Sequence, residues 1–412
     1  MDQQRLKLLF LSTFPPSPPT FGAQRRVQGL LAALARRHDV SAIAVVSADL
    51  DAAAAERAMR EYCSEVVLVG ARSWKGAAKR VLQLGSMVSA RSFVRILHDH
   101  PGLRRVVDAR LRGHAYDVVN VEFPYLASSR LARSPAGVRP PRLILDEHNI
   151  EFDLARQQAR YETELARRVY NSVNWRKIRR EELAVWRRFD GVAFCSAADE
   201  ARARALVPSI RSAVVPNGVD LEFFRPRPGD PSSDGRTLIF FGAINYYPNE
   251  DGLRFLLREV WPLIAKSHPQ ARLKIVGQEP TPEIVSYQGP RIEVAGKVQD
   301  VRPHLAGSAV SVVPLRIGGG TRLKVLEAMA MARPVVSTTL GAEGIDAEPG
   351  RHLLLADDAR TFAAAVGRVL DDANLGTRLG REARNLVVAR YSWEASAHAM
   401  EELYRRALVA AR

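Results

Sequence analysis

Along this chain, short apolar runs rich in β-branched residues alternate with longer stretches whose apolar positions recur at helical spacing. In the first half the short runs predict strands at Leu6–Leu11, Val40–Val46, Val66–Val69, Val118–Val121, Leu143–Asp146 and Val192–Cys195. A strand end at Val214-Val215, the turn signal Pro216-Asn217-Gly218 and the Pro, Gly, Ser and Asp cluster Pro226–Gly235 then interrupt the series. It resumes at Leu238–Phe241, Leu273–Val276, Ile292–Val294, Val310–Val313, Pro334–Ser337 and Leu353–Leu355. Strands separated by helices are the signature of βαβ units and parallel sheets. The pattern therefore predicts an α/β chain of two doubly wound domains facing one another, residues 1–216 and 217–390, with ligands at the C-terminal ends of the strands. A closing helix is expected at Trp393–Ala410, in a segment 391–412 that packs back toward the N-terminal domain. Glu151–Phe189 reads as one long, heavily charged helical stretch with Trp175, Ile178, Leu183 and Trp186 at helical spacing, which assigns it to scaffold.

Length agrees with two cores, since 412 residues exceed the size at which a single core keeps growing. The longest apolar runs fall far short of the about 18 residues that span a bilayer, so no spanning helix is expected. No basic region, apolar core and cleavage site stand in series at the start, which makes the cytoplasm the default. Cys63 and Cys195 are the only cysteines, both in apolar segments, which excludes a disulfide framework and a cysteine zinc site.

Charge changes the picture. The net charge is +15, and between Ala71 and Arg112 ten Arg or Lys stand against two Asp, interleaved with Trp74, Leu82, Leu84, Met87, Val88, Phe93, Ile96 and Leu97. Such a basic, apolar-studded segment suits an anionic membrane surface; the alternative is an ordinary solvated basic face. Nucleic acid is not expected, because Trp74 and Phe93 are the only Trp, Tyr or Phe in that segment.

The most informative segment is Pro314–Pro334, PLRIGGGTRLKVLEAMAMARP, directly after a strand. Gly318, Gly319 and Gly320 permit close backbone approach, and the helix that follows presents unpaired N–H groups and a positive dipole end. Arg322 and Lys324 add cations suited to a diphosphate. Glu327 lies further into that helix, where a carboxylate accepts ribose hydroxyls. No Asp-x-Asp stands where a metal-held diphosphate would need it, so protein cations take that role and no metal is expected.

These residues resemble the family-4 retaining glycosyltransferases of the two-Rossmann-domain (GT-B) type, and the resemblance covers nearly the whole chain. Glu327-Ala328-Met329-Ala330 with Pro334-Val335-Val336 matches the segment that closes the family's donor site, and Asn217-Gly218-Val219-Asp220 matches its interdomain signature. Phe241-Gly242, Val276-Gly277 and Gly296-Lys297-Val298 stand where the family lines the nucleotide. Two features depart from the pattern. Gly319 occupies the place of the family's first glutamate, leaving the amides of Gly319 and Gly320, or Thr321, to meet the sugar; and Ala243–Asn249 replaces the family's usual Arg and Lys. Arg322 and Lys324 stand in for those cations, as in a subgroup of bacterial polysaccharide transferases with Gly-Thr-Arg-Leu-Lys before this glutamate.

On the N-terminal side, Gly22 matches the loop that the family places beside the donor phosphates, and Asp146-Glu147-His148-Asn149 resembles the histidine segment that faces the transferred sugar. His148 then contacts the donor sugar or orients the acceptor hydroxyl; the alternative is a satisfied structural histidine. The resemblance implies a retaining, metal-independent hexosyltransferase. It would move a sugar from a nucleoside-diphosphate sugar, a substrate and no cofactor, to a glycan or lipid-linked acceptor in bacterial surface polysaccharide synthesis, at the inner face of the membrane. A nucleotide-sugar epimerase or a non-catalytic relative on the same fold is the alternative.

Overall fold

The structure is a computed structural model that describes residues 5–72, 74, 76–127, 131, 139–162 and 164–409. The chain divides into two compact units, Met1–Pro216 with Trp393–Arg412, and Asn217–Ser392. Strands β1 (Lys7–Ser12), β2 (Asp39–Val46), β3 (Glu65–Gly70), β4 (Val118–Glu122), β5 (Arg142–Glu147), β6 (Gly191–Phe194) and β7 (Ser212–Val214) form the first sheet. The second contains β8 (Thr237–Phe241), β9 (Arg272–Val276), β10 (Ile292–Gly296), β11 (Val310–Val313), β12 (Val335–Ser337) and β13 (Leu354–Leu355). Helices α1 (Gly22–Ala35), α2 (Ala52–Arg60), α3 (Gly76–Val88), α4 (Phe93–Leu97), α5 (Pro101–Gly113), α6 (Glu151–Tyr161), α7 (Leu165–Trp186) and α8 (Ala197–Leu206) belong to the first unit. The second unit has α9 (Tyr247–Phe255), α10 (Trp261–Ser267), α11 (Pro282–Val285), α12 (Arg302–Ala306), α13 (Leu323–Ala330), α14 (Ala359–Asp371) and α15 (Ala373–Arg390); α16 (Trp393–Val409) returns to the first.

Both sheets are parallel throughout, in the orders β3-β2-β1-β4-β5-β6-β7 and β10-β9-β8-β11-β12-β13. A parallel sheet covered on both faces needs strands that are apolar on both sides, which is why the strands read as continuous runs. In β1, Leu9 and Leu11 join the core on one face while Leu8 and Phe10 join the core on the other. In β8, Leu238 and Phe240 divide from Ile239 and Phe241 in the same way. Each sheet reverses its winding at one place, between β1 and β4 in the first and between β8 and β11 in the second. Crevices outside the strand ends open at such switch points.

Helix α16 packs against α1, β5, β6 and β7. A Cβ at Gly29 of α1 would lie 2.2 Å from the Trp393 ring, so this approach requires glycine. Buried Glu401 of α16 accepts from Arg37 Nε at 2.6 Å and lies 3.1 Å from His38 Nε2.

The stretch Glu151–Phe189 is not one helix. It is a hairpin of α6 and α7, which pack against each other, with Glu162 and Glu164 in extended backbone between them. Glu164 stands at the N-cap position of α7 without a side-chain capping bond, where the helix dipole favours its negative charge, and apolar spacing alone does not register that break. Cys63 and Cys195 are both buried thiols, and burial pushes each up to about 12.

Candidate active site

In the first unit the chemistry gathers at the C-terminal ends of β4 and β5. Parallel register sets Glu122, the last residue of β4, opposite Asp146 of β5. Arg26 of α1 holds Asp146 with two hydrogen bonds, Nε to Oδ2 at 2.9 Å and Nη2 to Oδ1 at 2.6 Å, and both side chains are buried. His148, two residues past that pair, places Nε2 2.7 Å from Glu122 Oε2 and 3.6 Å from Asp146 Oδ2. Asn120 Nδ2 donates to the other Glu122 oxygen at 2.8 Å, and the Tyr404 hydroxyl of α16 donates to Asn120 Oδ1 at 3.0 Å. Phe123, with a left-handed backbone at φ 72°, sets its ring 4.2 Å from the imidazole.

Burial and the neighbouring Asp146 charge hold Glu122 well above the usual carboxylate range. Asp146 goes the other way, because its two-point Arg26 contact outweighs burial. Burial pushes His148 down to about 4, against the attraction of Asp146. An imidazole that burial pushes toward its neutral form therefore stands beside one carboxyl that Arg26 favours in its charged form and one that burial pushes toward its protonated form. Ligand atoms of Glu122, Asp146 and His148 lie within 4.8 Å of one another, a spacing compatible with a metal ion. Arg26 already occupies both Asp146 oxygens and puts a fixed positive charge beside the group, so these residues make a poor cation site.

The loop bearing His148 is anchored from α7. Glu182 accepts from the Glu151 and Phe152 amides at 2.8 Å each, capping the start of α6, and Trp186 Nε1 donates to Glu147 at 2.7 Å. Gly22 opens α1, whose N-cap Phe21 makes no side-chain capping bond.

In the second unit, three strand ends are laced together by backbone bonds, Gly242 N to Val276 O at 3.0 Å and Gly277 N to Gly296 O at 2.8 Å. A Cβ on Gly277 would lie 1.8 Å from the Gly242 carbonyl oxygen, and Gly242 itself has φ 138°. Val298, past the end of β10, is half-buried against the core that also contains Val325 and Leu326 of α13. After β11, the segment Pro314–Arg322 leads to α13, with Arg322 as its N-cap. The Arg322 guanidinium donates to the carbonyls of Gly319 and Gly320. Since a trans peptide sets N–H opposite C=O, the amides of Gly320 and Thr321 point away from that guanidinium. Asn217 Nδ2 donates to the Thr321 carbonyl at 3.0 Å, tying Asn217-Gly218-Val219-Asp220 to this loop.

Lys324 reaches from α13 to the end of β8. Its Nζ donates to Asn249 Oδ1 at 2.7 Å and lies 4.3 Å from the Phe240 ring centre. Asn249 is itself held by its Nδ2 bond to the Ala243 carbonyl at 2.6 Å. Burial first, then Arg322, push Lys324 down to about 7, with Glu327 opposing. Glu327, 4% exposed, follows one turn later on the same helix. The structure thus groups Gly242, Gly277, Gly319, Gly320, Thr321, Arg322, Lys324 and Glu327 around the switch point of the second sheet. Arg26, Glu122, Asn120 and Asn249 were not among the sequence candidates. A conventional helix or strand position hides each of them, and only the register of β4 on β5 or the fold of Ala243–Asn249 brings them in.

Residues 21–223 match the family model described as Glycosyltransferase Family 4, and residues 235–372 match the one described as Glycosyl transferases group 1. Both units match glycosyltransferases. Among curated proteins, an uncharacterized 44.6 kDa protein in the cps region of Klebsiella pneumoniae is 30% identical over 31% of this chain and 35% of its own. A D-inositol 3-phosphate glycosyltransferase of Kineococcus radiotolerans is 29% identical over 47% and 52% of the two chains. An MMP alpha-(1->4)-mannosyltransferase of Mycolicibacterium hassiacum is 29% identical over 47% and 48%. The chain thus spans about half the length, or less, of the curated relatives it matches. The sucrose-phosphate synthase of Thermosynechococcus elongatus shares the fold at TM-score 0.73, with 20% identity over 98% of this chain and 100% of that one. HepE of Anabaena, solved with UDP-glucose, shares it at TM-score 0.67, with 16% identity over 97% and 99%. The fold is therefore the GT-B type with Rossmann-like domains, and the matches support a family-4-type glycosyltransferase.

Proposed function

We propose that this protein is a retaining, metal-independent hexosyltransferase that moves a sugar from a nucleoside-diphosphate sugar to a glycan or lipid-linked acceptor in bacterial surface polysaccharide synthesis. The observation that carries the reading is the meeting of Lys324 with Gly242 at the switch point of the second sheet, with Glu327 one turn further along α13. A cation, glycine backbone and a carboxylate at one strand end are what a diphosphate followed by a ribose requires. As the bond to the sugar breaks, charge grows on the leaving diphosphate, and Lys324 with the loop amides is placed to stabilise it. Arg322 acts through the loop it braces. In the first unit, a Glu122 that keeps its proton would donate to His148 Nε2 and so hold the ring proton on Nδ1, ready for the sugar or acceptor hydroxyl. The cps-region relative supports the polysaccharide assignment.

The test is a thermal-shift panel of UDP-, GDP- and dTDP-sugars, with product analysis separating nucleoside diphosphate from epimerised donor. One sugar nucleotide is expected to raise the melting temperature by mass action and to release its diphosphate. Epimerised donor without release would point to the epimerase instead.

A specific surface supports membrane attachment. Val81, Leu84 and Val88 share one face of α3 and are 67%, 72% and 93% exposed, with Lys79 and Arg80 exposed on the same helix. Ser73 and Lys75 of the basic segment lie outside the described residues. Among the described residues no helix is long and apolar enough to cross a membrane. The protein is expected to sediment with anionic but not zwitterionic vesicles, less so in high salt and in the Lys79→Glu, Arg80→Glu variant, at about 1 kcal/mol per basic residue. Equal recovery with both vesicle types would leave a solvated face and a soluble acceptor.

A further inference from the structure

We propose that the cavity bordered by α4, α5 and the short turn Pro124–Leu126 is an oxyanion subsite that holds a phosphate group of the acceptor. This rests on the glycosyltransferase reading and names the acceptor's chemistry. The cavity lies wholly within the first unit and has a volume of about 130 Å³, many times the ~10–15 Å³ that one water requires. Arg91, Arg95, Arg104, His98, His100 and Tyr125 are among its lining residues.

Arg91 and Arg104 share one counterion, Asp99, and Asp108 also borders the cavity. The Arg95 side chain makes no ion pair or hydrogen bond among the described residues. A second guanidinium, Arg188, stands near enough for Arg95 to depress its basicity in addition to burial. Like charges held close together are costly without an anion between them. The cavity wall also carries an unmade hydrogen bond. His100 is 7% exposed and lines the cavity, and its buried Nδ1 has no hydrogen-bond partner among the described residues. Native proteins rarely leave such a group unsatisfied, and an oxyanion held beside this ring is a partner that the described residues do not supply.

The imidazoles suit an adaptable anion site. His98 gives its Nδ1 proton to the Val94 carbonyl at 2.9 Å, so its other nitrogen donates only when the ring is protonated, which an oxyanion favours. The lining donors come from α4, from the start of α5 and from the loop between them, three separate segments around one cavity. The His98 ring lies 4.4 Å from that of Tyr125, Tyr125 stacks on Phe123 at 5.1 Å, and Phe123 lies 4.2 Å from His148. Tyr125 is itself part of the cavity wall, so a single ring, Phe123, stands between that wall and the candidate histidine, and an acceptor anchored by its phosphate would extend toward His148.

The test is calorimetric titration of the full chain with inorganic phosphate, with the His100 imidazole followed by nitrogen NMR. Phosphate is expected to shift the His100 signal, and Arg95→Gln to weaken binding at least about tenfold, the loss of one charge-assisted contact. Arg95→Lys restores most of it, and Lys266→Gln, at an exposed lysine of the second unit, changes nothing. Unchanged affinity in Arg95→Gln, with the fold intact by circular dichroism, would overturn the subsite. Displacement of phosphate by glycerol 3-phosphate supports a soluble acceptor; displacement by phosphatidic acid vesicles but not phosphatidylcholine supports a lipid one. Displacement by neither would overturn the acceptor assignment. Nucleotide-sugar binding and cleavage are measured on the same proteins. Phosphate binding without either would sink the transferase reading and leave the anion site standing, whereas cleavage without phosphate binding would do the reverse.

Discussion

The two units solve the same topological problem with opposite electrostatics. At the first unit's strand ends the charges answer one another. Arg26 takes Asp146 with two bonds, Glu122 takes His148, and Asn120 and Tyr404 complete the chain. In the second unit, Lys324 is matched by a neutral amide and an aromatic face, and Arg322 by backbone carbonyls. A closed network fixes the position of a side chain. A cation met by neutral partners, as Lys324 is by Asn249 and the Phe240 ring, keeps its charge for an anion that arrives later. Under the proposed function, His148 has a positional task and Lys324 an electrostatic one.

The largest expected effect breaks the closed network. Asp146→Asn leaves the buried Arg26 without its counter-charge, which costs about 3 to 5 kcal/mol when one partner of a buried pair is removed. Denaturant unfolding should show that loss. A change under about 1 kcal/mol would mean that the pair is solvated in the folded protein and that the contrast between the units does not hold.

Next in size is Lys324→Ala, which removes a charge-assisted contact of about 1.5 to 3 kcal/mol to the diphosphate while leaving the fold intact. Binding of a nucleoside diphosphate should weaken by about tenfold to a hundredfold. Arg322→Ala should also lose binding, but through disorder of the Gly319–Thr321 loop, so added salt should change its affinity in proportion to the parent's. Parent-like binding in the double variant would remove the phosphate assignment. Glu327→Gln is expected to have a smaller effect, concentrated on the ribose. It should narrow the difference in affinity between a nucleoside diphosphate and its 2′-deoxy analogue, and an unchanged difference would exclude Glu327 as the ribose ligand.

The strands were readable because burial on both faces forces continuous apolar runs, as at Val310–Val313, where the expected and observed limits coincide. The glycine-rich loop and Glu327 were readable because glycine, cation and carboxylate at a helix start form a local pattern. Glu122 was not. It ends an apolar strand and looks like an ordinary strand terminus until parallel register sets it against Asp146. Arg26 is one of two adjacent arginines in a helix, and nothing local distinguishes the member that turns inward. Asn249 replaces nothing recognisable in Ala243–Asn249, because its role depends on where Lys324 arrives from α13, 75 residues later. The break between α6 and α7 escaped notice because polar residues at a helix start resemble polar residues on a helix face.

The smallest expected effect separates the two units by pH. His148, pushed down to about 4, stays neutral in the folded first unit while its unfolded counterpart, near 6.5, takes up a proton. The unfolded chain therefore binds more protons in that window, and stability falls as pH drops from about 6.5 toward 4. His148→Asn should flatten that part of the stability profile. Lys324, at about 7, behaves differently, because its change of charge matters for binding. A diphosphate favours the ammonium, so near pH 8 binding should draw in a proton, and below pH 6, where Lys324 is already charged, it should not. Calorimetry of nucleoside diphosphate binding in two buffers of different ionisation enthalpy measures that uptake directly. Uptake at pH 8 that disappears in Lys324→Arg, which stays charged throughout, would assign it to this side chain. Equal uptake in the variant would move it elsewhere and leave Lys324 an ordinary, permanently charged lysine, with the second unit's electrostatics no longer distinct from those of the first.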